Sequence, residues 1–242
     1  MRNCTRDTAE NLSSMDQRTL ELLSGFSHEV RAPLGAIGGF AELLRMGAHG
    51  DLPEAQAEVL GRIIRNQRRV VSMLDALLTY SAALAGSMPV RAARLHVLPL
   101  VQESVASSAA LAVERQRLVR VHDATDSVPE GVVDPAVFGM VMSTLLEDAL
   151  AHSENGDAIE VVVTTAASMI CITMSCASPP IDEASRESIF TPFRRGAAVR
   201  NTEALALPHS RALARLFSGD LVAVTGTERR TLRFSIPTAD AC

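Results

Sequence analysis

The amino-acid sequence predicts two parts, an N-terminal helical hairpin that dimerises into a four-helix bundle and a following α+β sandwich domain. Two long runs of apolar residues at three- and four-residue spacing indicate the hairpin, and they end near residue 84. Gly86-Ser87-Met88-Pro89 then breaks the helical pattern. From about residue 95, short β-rich runs alternate with helical segments, which is typical of a sheet covered by helices.

The first helix is indicated by a stripe of apolar residues, with Ser27 in the one step that an apolar residue does not fill. Ser14-Met15-Asp16-Gln17 is a plausible capping box at its start, so residues 1–13 are expected to be a disordered lead-in. The glycine-rich stretch 47–51 is expected to end the helix. The members of the stripe are Leu20, Leu23, Val30, Leu34, Ile37, Ala41 and Leu44.

The second helix shows a more regular stripe, in which the spacing alternates between four and three residues. This is the period of coiled coils and four-helix bundles, and a polar Asn66 inside it can fix the register. A hairpin alone cannot bury both stripes, so we expect a homodimer in which residues 14–86 form the bundle. The stripe comprises Val59, Ile63, Asn66, Val70, Met73, Leu77, Tyr80 and Leu84.

The second domain is expected to span residues 95–238, after a linker at 87–94. A short strand is predicted at 95–97 and a helix from there through Val113, with strands near 118–122 and 131–134. A helix at 135–152 precedes a β-hairpin at 159–175, and a last helix at 205–217 precedes two final strands. One layer of sheet and one of helices follow from this order.

Composition excludes several classes of function. The 242 residues are 47% hydrophobic and 21% charged with a net charge of −5, a globular composition without the basic footprint of a nucleic-acid-binding protein. All 23 basic residues are Arg, which excludes Schiff-base chemistry and phosphate sites built on Lys. Four scattered cysteines indicate reduced thiols and a cytoplasmic location, and their spacing suggests no metal site. No apolar run is long enough for a membrane span, and the polar N-terminus is not a signal peptide.

Residues 26–34, Phe-Ser-His-Glu-Val-Arg-Ala-Pro-Leu, resemble the H-box of sensor histidine kinases. The helical hairpin, the linker and the following α+β domain agree with that family in order, so the resemblance covers about residues 14–238. It implies that the first domain dimerises and carries the phosphoacceptor histidine. It also implies that the second domain has the fold of the ATP-binding domain shared with gyrase and the Hsp90 chaperones.

The resemblance places the phosphoacceptor at His28. His28 follows Ser27 in the apolar stripe, so it is expected to face solvent. One imidazole nitrogen can attack phosphorus while the other keeps its proton, and Glu29 is expected to take or orient that proton. Pro33 is expected to bend the helix below His28. Ala32 stands where the family often has Thr or Asn, which lowers the expectation of phosphatase activity.

The second domain departs from the family at its ATP-binding motifs. Residues 144–153 lie where the family has its N-box, whose Asn holds the Mg²⁺ that bridges the ATP phosphates; here that position is Asp148. A carboxylate can ligate Mg²⁺ but also repels phosphates, and the usual basic residue is Ala151. His152 matches an aromatic or His position of the box. Glu147 and Asp148 together are more simply interpreted as a surface acidic pair than as a metal site.

The remaining nucleotide motifs are changed as well. The run 175–182 stands where the family has D-x-G-x-G, and it lacks both the leading Asp and every Gly. Residues 189–196, which include Phe193, match the F-box well, but the glycines that follow it in the family are Thr202, Ala204 and Ala206 here. Together these losses argue against ordinary ATP binding, so no cofactor is expected in this chain. Asp148, His152 and Phe193 are candidates for a vestigial nucleotide site.

Several arginines are candidates for binding a protein partner. Arg62, Arg65 and Arg69 are spaced to line one face of the second helix, and Arg31 belongs to the H-box. The resemblance implies response-regulator receiver domains as partners, whose acidic phosphorylation pocket a basic rim would attract. A solvated helix flank is the simpler interpretation of any single one of these arginines.

The hypothesis that follows is a dimeric phosphorelay protein, in which His28 exchanges a phosphoryl group with a receiver Asp without binding ATP. Two alternatives stay open. One is a divergent but active histidine kinase that uses ATP and Mg²⁺ at His28. The other is a non-enzymatic pseudokinase scaffold, which would have no need of the His28–Glu29 pair.

Overall fold

The computed structural model describes residues 2–48, 50–125, 129–154, 156–193 and 205–241, with the backbone alone for residues 2–21 and 241. The chain divides into two compact units, Met1–Met88 and Pro89–Cys242. This is the predicted order of a helical hairpin followed by an α+β domain. Each unit is described below by itself.

The first unit is the predicted helical hairpin. Helix α1 spans Arg2–Arg45 and helix α2 spans Glu54–Leu84. The expected disordered lead-in at 1–13 is wrong for the described part, because α1 already begins at Arg2. Residues 2–24 contain neither Gly nor Pro, so nothing in this polar stretch ends a helix that the later apolar residues stabilise.

The two helices meet along a narrow seam. Ser27 and Ala41 on α1, and Ile64 and Ala83 on α2, are each at most 7% exposed. In α2 the buried Ile64 lies one residue beyond Ile63 of the predicted stripe, and Ile63 is 39% exposed. Tyr80 lies half-buried farther along α2. The seam therefore uses only one side of each helix.

The sides of α1 and α2 away from this seam leave large apolar side chains in solvent. Phe26 and Phe40 on α1 are 60% and 68% exposed, and Val59 on α2 is 53% exposed. Exposed apolar surface that recurs along a helix at heptad-like spacing is typical of a protein interface. The other exposed members of this unit are Leu22, Ile37, Leu43, Leu44, Met46, Ile63, Val70 and Leu84.

The second unit is built from seven strands and four α-helices within the described ranges. In chain order these are β1 Ala93–His96, α3 Val97–Ser107, α4 Ala109–Glu114, β2 Leu118–Asp123, β3 Glu130–Val133, α5 Pro135–His152, β4 Ala158–Ala166, β5 Met169–Cys176, α6 Ala206–Arg215, β6 Asp220–Ala223 and β7 Arg230–Pro237. Single 3₁₀ turns lie at Ser188–Phe190 and Ala239–Ala241. Two predictions shift: β1 begins inside the expected linker, and Val97 starts a helix that is divided at Ser108.

A five-stranded sheet forms the first layer of this unit, in the order β2-β4-β5-β7-β6. Strands β2 and β4 are parallel and the other neighbours are antiparallel. Strands β1 and β3 form a separate antiparallel pair. Along β5, buried and half-buried residues alternate strictly, so Cys176 is buried whereas Cys171 faces the other side of the sheet. This confirms the predicted sandwich of one sheet and one helical layer.

Helix α5 packs on this sheet through side chains that have lost all solvent contact. Phe138 of α5 lies against Phe234 of β7, with ring centroids 5.5 Å apart and planes tilted by 43°. Both rings are fully buried, as are Leu145 and Ile172. With one Tyr and no Trp in the chain, most of the core is aliphatic, as the composition predicts, with Phe190 and Phe217 also buried.

The start of α5 is fixed by Asp134, whose carboxylate accepts from the amides of Ala136 and Val137. The backbone N–H of Arg91 donates to the same carboxylate at 2.7 Å and is the main reason that the pKa of Asp134 lies below its usual range. This cap orients the helix whose far end carries Asp148 and His152.

The connection from α6 to β6 requires Gly219. A Cβ at this position would lie 1.9 Å from the carbonyl oxygen of Ser235 in β7, which is far inside van der Waals contact. Any side chain at position 219 would push the edge strand β6 away from β7.

Across the described ranges, no helix combines the length and the apolarity that a membrane crossing needs.

His209 in α6 is 8% exposed, and its Nε2 has no hydrogen-bond partner. Burial lowers the pKa of His209 below its ordinary value of 6.5, because the charged ring would lose its hydration.

We therefore expect the free energy of unfolding to fall as the pH drops below that ordinary value, since the unfolded chain then binds a proton that the folded chain excludes. Above that ordinary pKa the ring is neutral in both the folded and the unfolded chain, so this loss of stability is absent. His209→Leu is expected to flatten the pH dependence, measured by urea unfolding at mildly acidic and mildly alkaline pH. Equal slopes in wild type and His209→Leu would contradict this assignment.

Candidate functional site

The predicted phosphoacceptor, His28, lies on α1 with its side chain exposed. Its neighbour Ser27 is 1% exposed in the seam between α1 and α2. Adjacent helical residues are about 100° apart around the axis, so burying Ser27 turns His28 away from α2. An exposed imidazole on a rigid helix is accessible to a reacting group on another protein.

Glu29 follows His28 on the same turn and is also exposed. Pro33 lies inside α1, which continues through it without a break. Proline has no N–H, so the carbonyl of Glu29, four residues earlier, lacks its usual helical donor. The helix therefore lacks one regular backbone hydrogen bond directly after His28.

Arg31 lies one turn after His28 and forms an ion pair with Asp75 of α2. The two side chains are 44% and 51% exposed, so the pair lies at the surface. Arg31 is thus engaged within the hairpin, although the sequence suggested only a partner contact. A surface pair of this kind is worth roughly 0.2–1 kcal/mol.

The remaining candidate arginines all lie on α2. Arg62 and Arg65 are exposed and Arg69 is half-buried, and the neighbouring Arg68 is also exposed. Arg68 lines a small cavity of about 280 Å³ with Gly38 of α1 and Gln67 of α2. A Cβ at Gly38 would lie 2.8 Å from the Gln67 side chain, so this glycine lets the two helices approach closely.

In the second unit, Asp148 is held by Arg230 of β7. Arg230 Nε donates to Oδ2 at 3.0 Å and Nη2 donates to Oδ1 at 2.9 Å, a two-pronged ion pair. The side chains are only 11% and 14% exposed. The interpretation of Glu147 and Asp148 as a surface acidic pair is therefore wrong for Asp148, while Glu147 is exposed as expected.

His152 lies one turn beyond Asp148 on α5. Its Nδ1 donates to the Asp148 carbonyl at 2.8 Å and lies 3.5 Å from the Oδ1 of the same residue. The structure thus brings two of the three vestigial-site candidates together. Beside them, Cys176 is paired with Arg230 in the β5–β7 ladder. Burial and, secondarily, the Asp148 charge raise the pKa of the Cys176 thiol to about 11, so it stays protonated.

Phe193, the third vestigial-site candidate, is 62% exposed and adopts a left-handed backbone with φ +53°. It closes the described stretch 156–193. The substituted glycine positions Thr202 and Ala204 lie outside the described residues, and Ala206 is the first residue of α6.

Within the residues that the structure describes, no group of three or more His, Cys, Asp or Glu side chains is arranged to hold a metal ion.

Comparison with known proteins gives the family. Residues 18–86 match the His Kinase A (phospho-acceptor) domain family. Over 251 aligned positions the chain is 30% identical to the sensor protein CzcS of Cupriavidus metallidurans, and the alignment covers 98% of this chain and 51% of that protein. The chain belongs to the histidine kinase family.

Two solved histidine kinase structures have the same fold. Full-length ShkA in complex with AMPPNP matches 90% of this chain and 46% of its own, with a TM-score of 0.74 and 17% identity. Histidine kinase ThkA in complex with the response regulator TrrA matches 97% of this chain and 65% of its own, with a TM-score of 0.63 and 20% identity. The chain spans 51% of the length of CzcS and 44% of the length of the sensor histidine kinase TrcS of Mycobacterium tuberculosis.

Two residues of this histidine kinase family member were missed by the sequence reasoning. Arg230 and Asp75 have no motif of their own, and their partners lie 82 and 44 residues away. For Arg230, the one available signal was a basic residue directly before the last predicted strand, which the structure begins at Arg230 itself.

A substitution at Ser27 tests which face of α1 is turned toward α2. Its hydroxyl is buried and makes no hydrogen bond within the described structure. Ser27→Ala is therefore expected to raise the free energy of unfolding by about 1 kcal/mol, because an unsatisfied polar group leaves the seam. Urea unfolding followed by circular dichroism measures the change, with the exposed Ser24→Ala as the control. A loss of stability in Ser27→Ala would show that the hydroxyl has a partner in solution.

Proposed function

We propose that this protein is a phosphotransfer component of a two-component system, in which His28 exchanges a phosphoryl group with the aspartate of a response-regulator receiver domain. The observation that carries the proposal is an exposed His28 on α1, within the matched phospho-acceptor domain. The ion pair of Arg31 with Asp75 stiffens the hairpin one turn from it.

The transfer step needs only groups of the two proteins. The unprotonated nitrogen of His28 attacks phosphorus as the bond from phosphorus to the aspartyl oxygen breaks, and the electron pair of that bond stays on the departing carboxylate. The other ring nitrogen keeps its proton and becomes more acidic. Glu29 is the group proposed to orient or accept that proton. The reverse sequence passes the phosphoryl group to a receiver.

A receiver is supported as the partner by the kind of complex that the fold forms elsewhere. ThkA is described in complex with a response regulator. In this chain, Arg62, Arg65 and the half-buried Arg69 place positive charge on α2 that would attract an acidic partner. Arg31 contributes less to this attraction, because Asp75 already neutralises it.

We further propose that this exchange runs without ATP bound to this chain. The support is the run 175–182 without glycine, together with an Asp148 carboxylate already engaged by Arg230.

ATP-dependent phosphorylation of His28 is the second candidate. One observation that favours it is the alignment with the sensor protein CzcS, which covers 98% of this chain. The other is the nucleotide analogue bound in the ShkA complex.

His28→Ala is expected to abolish acceptance of phosphate from a phosphorylated receiver, since no nucleophile remains at the site. Glu29→Gln is expected to slow transfer by roughly 10²–10⁴-fold, which is the usual contribution of a general base to the rate. Radiolabel transfer from a phosphorylated receiver, resolved by gel, measures both effects. The exposed His96→Ala is the matched histidine control and should transfer at the wild-type rate.

The outcomes separate the alternatives. Label that appears on His28 from Mg–ATP alone would establish the kinase instead. Absence of label from either donor, with unchanged binding to the receiver, would establish a non-enzymatic scaffold.

We propose a homodimer in which the uncovered faces of α1 and α2 close a four-helix bundle. The support is the match to the phospho-acceptor domain family over 18–86 and the row of exposed apolar residues that includes Phe26 and Phe40. Burying one such aromatic side chain contributes roughly 1.5–3 kcal/mol. A second copy of the same hairpin presents the complementary surface.

Phe40→Glu is expected to shift the protein from dimer to monomer, because the interface would have to bury a charge without a partner. Size-exclusion chromatography with light scattering measures the mass. Val113→Glu is the control, since Val113 is 75% exposed but lies on α4 of the other unit. A wild-type protein that is monomeric at micromolar concentration would contradict the dimer.

A cytoplasmic location completes the proposal. Cys171 and Cys176 are both free thiols, as expected in a reducing compartment.

A further inference from the structure

We infer that Arg230 is a resident cation at Asp148, where histidine kinases of this fold hold the magnesium of Mg–ATP, and that this side chain closes the site to metal and nucleotide. The inference deepens the ATP-independent part of the proposed function and does not depend on phosphotransfer at His28. It rests on the contacts of Asp148 within the second unit.

The guanidinium of Arg230 engages both oxygens of the Asp148 carboxylate. Each Asp148 oxygen accepts one hydrogen bond from Arg230, at 2.9 and 3.0 Å. With side chains 11% and 14% exposed, the two charges lie largely out of water, where screening is weak. A divalent cation at Asp148 would have to share the carboxylate with the guanidinium charge or displace it.

The groups around Asp148 do not complete a magnesium site. Mg²⁺ requires near-octahedral oxygen ligands. His152 turns its Nδ1, which donates to the Asp148 carbonyl, toward this carboxylate, and Cys176 offers only a buried, soft sulfur. Neither group supplies a second anionic oxygen, so with Arg230 in place the site fits an arginine better than a hydrated metal ion. Once the guanidinium is removed, the Asp148 carboxylate remains as a single ligand for a Mg²⁺ ion that keeps most of its waters.

The backbone around Arg230 holds its side chain in this position. Its N–H donates to the carbonyl of Ser178 at 3.0 Å, and its residue pairs with Cys176 in the β5–β7 ladder. This strand end and α5 are therefore joined by a side chain of the chain itself. The second unit would then need no bound ligand to bring these two elements together.

Magnesium rescue of Arg230→Ala tests the inference. Removing the guanidinium leaves a nearly buried carboxylate without a counter-charge, so the Tm is expected to fall by on the order of 10 °C. Millimolar Mg²⁺ is expected to recover at least half of that loss, and to leave the Tm of the wild type unchanged. Ionic strength is kept constant with NaCl, and unfolding is followed by circular dichroism.

Two variants serve as controls. Arg230→Ala/Asp148→Ala lacks the carboxylate and should not respond to Mg²⁺. Arg229→Ala removes the neighbouring arginine, which donates to the neutral carbonyl of Ala158, and should not respond either. An Arg230→Ala protein that is destabilised but indifferent to Mg²⁺ would reduce the pair to an ordinary ion pair and overturn the inference.

The wild-type protein provides a measurement that does not depend on the variants folding. Calorimetric titration with Mg–AMPPNP is expected to give no heat of binding at millimolar nucleotide. Micromolar affinity would overturn the closed site while leaving transfer between His28 and a receiver intact. Loss of transfer with a closed site would overturn the proposed function alone.

Discussion

The burial of Ser27 in the seam between α1 and α2 is the constraint on which the arrangement of the hairpin depends. Two helices that touch along one narrow line can cover only one side of each, and the remaining apolar side chains must meet another surface. The same rotation that turns Ser27 inward turns His28 outward. The exposure of His28 and the exposure of Phe26 and Phe40 are thus consequences of one choice of helix face.

In the second unit, α5 has the corresponding central position. Its first turn is capped by Asp134, and its last two turns are tied to β7 through Asp148 and Arg230. Between these polar ends, Phe138 and Leu145 are fully buried. A helix fixed by a carboxylate at each end and by an apolar middle keeps its register on the sheet.

The sequence was sufficient to predict the features that follow from the regular spacing of apolar residues along the chain. The hairpin of α1 and α2, the β-hairpin of β4 and β5 and the exposure of His28 all follow from residues that are neighbours in the chain. The start of α1 was misplaced because the polar residues before Leu20 contain no helix-breaking residue. A capping box at Ser14 therefore gave a plausible but wrong boundary.

The ion pairs were beyond sequence reasoning for a different physical reason. Arg230 meets Asp148 only because β7 lies beside β5 in the sheet, and strand order is a property of the whole domain. Arg31 likewise meets Asp75 through the pairing of two long helices. Motif comparison located Asp148 but could not say which group neutralises it. Long-range partners of this kind require the tertiary structure.

Tyr80 gives this molecule an unusual optical property. It is the one tyrosine of a chain without tryptophan, and it lies half-buried on α2. Near-ultraviolet emission therefore originates almost entirely from the hairpin, whereas far-ultraviolet circular dichroism averages over both units. A solution in which the two signals change at different denaturant concentrations would reveal that the hairpin and the α+β unit unfold as separate cooperative blocks.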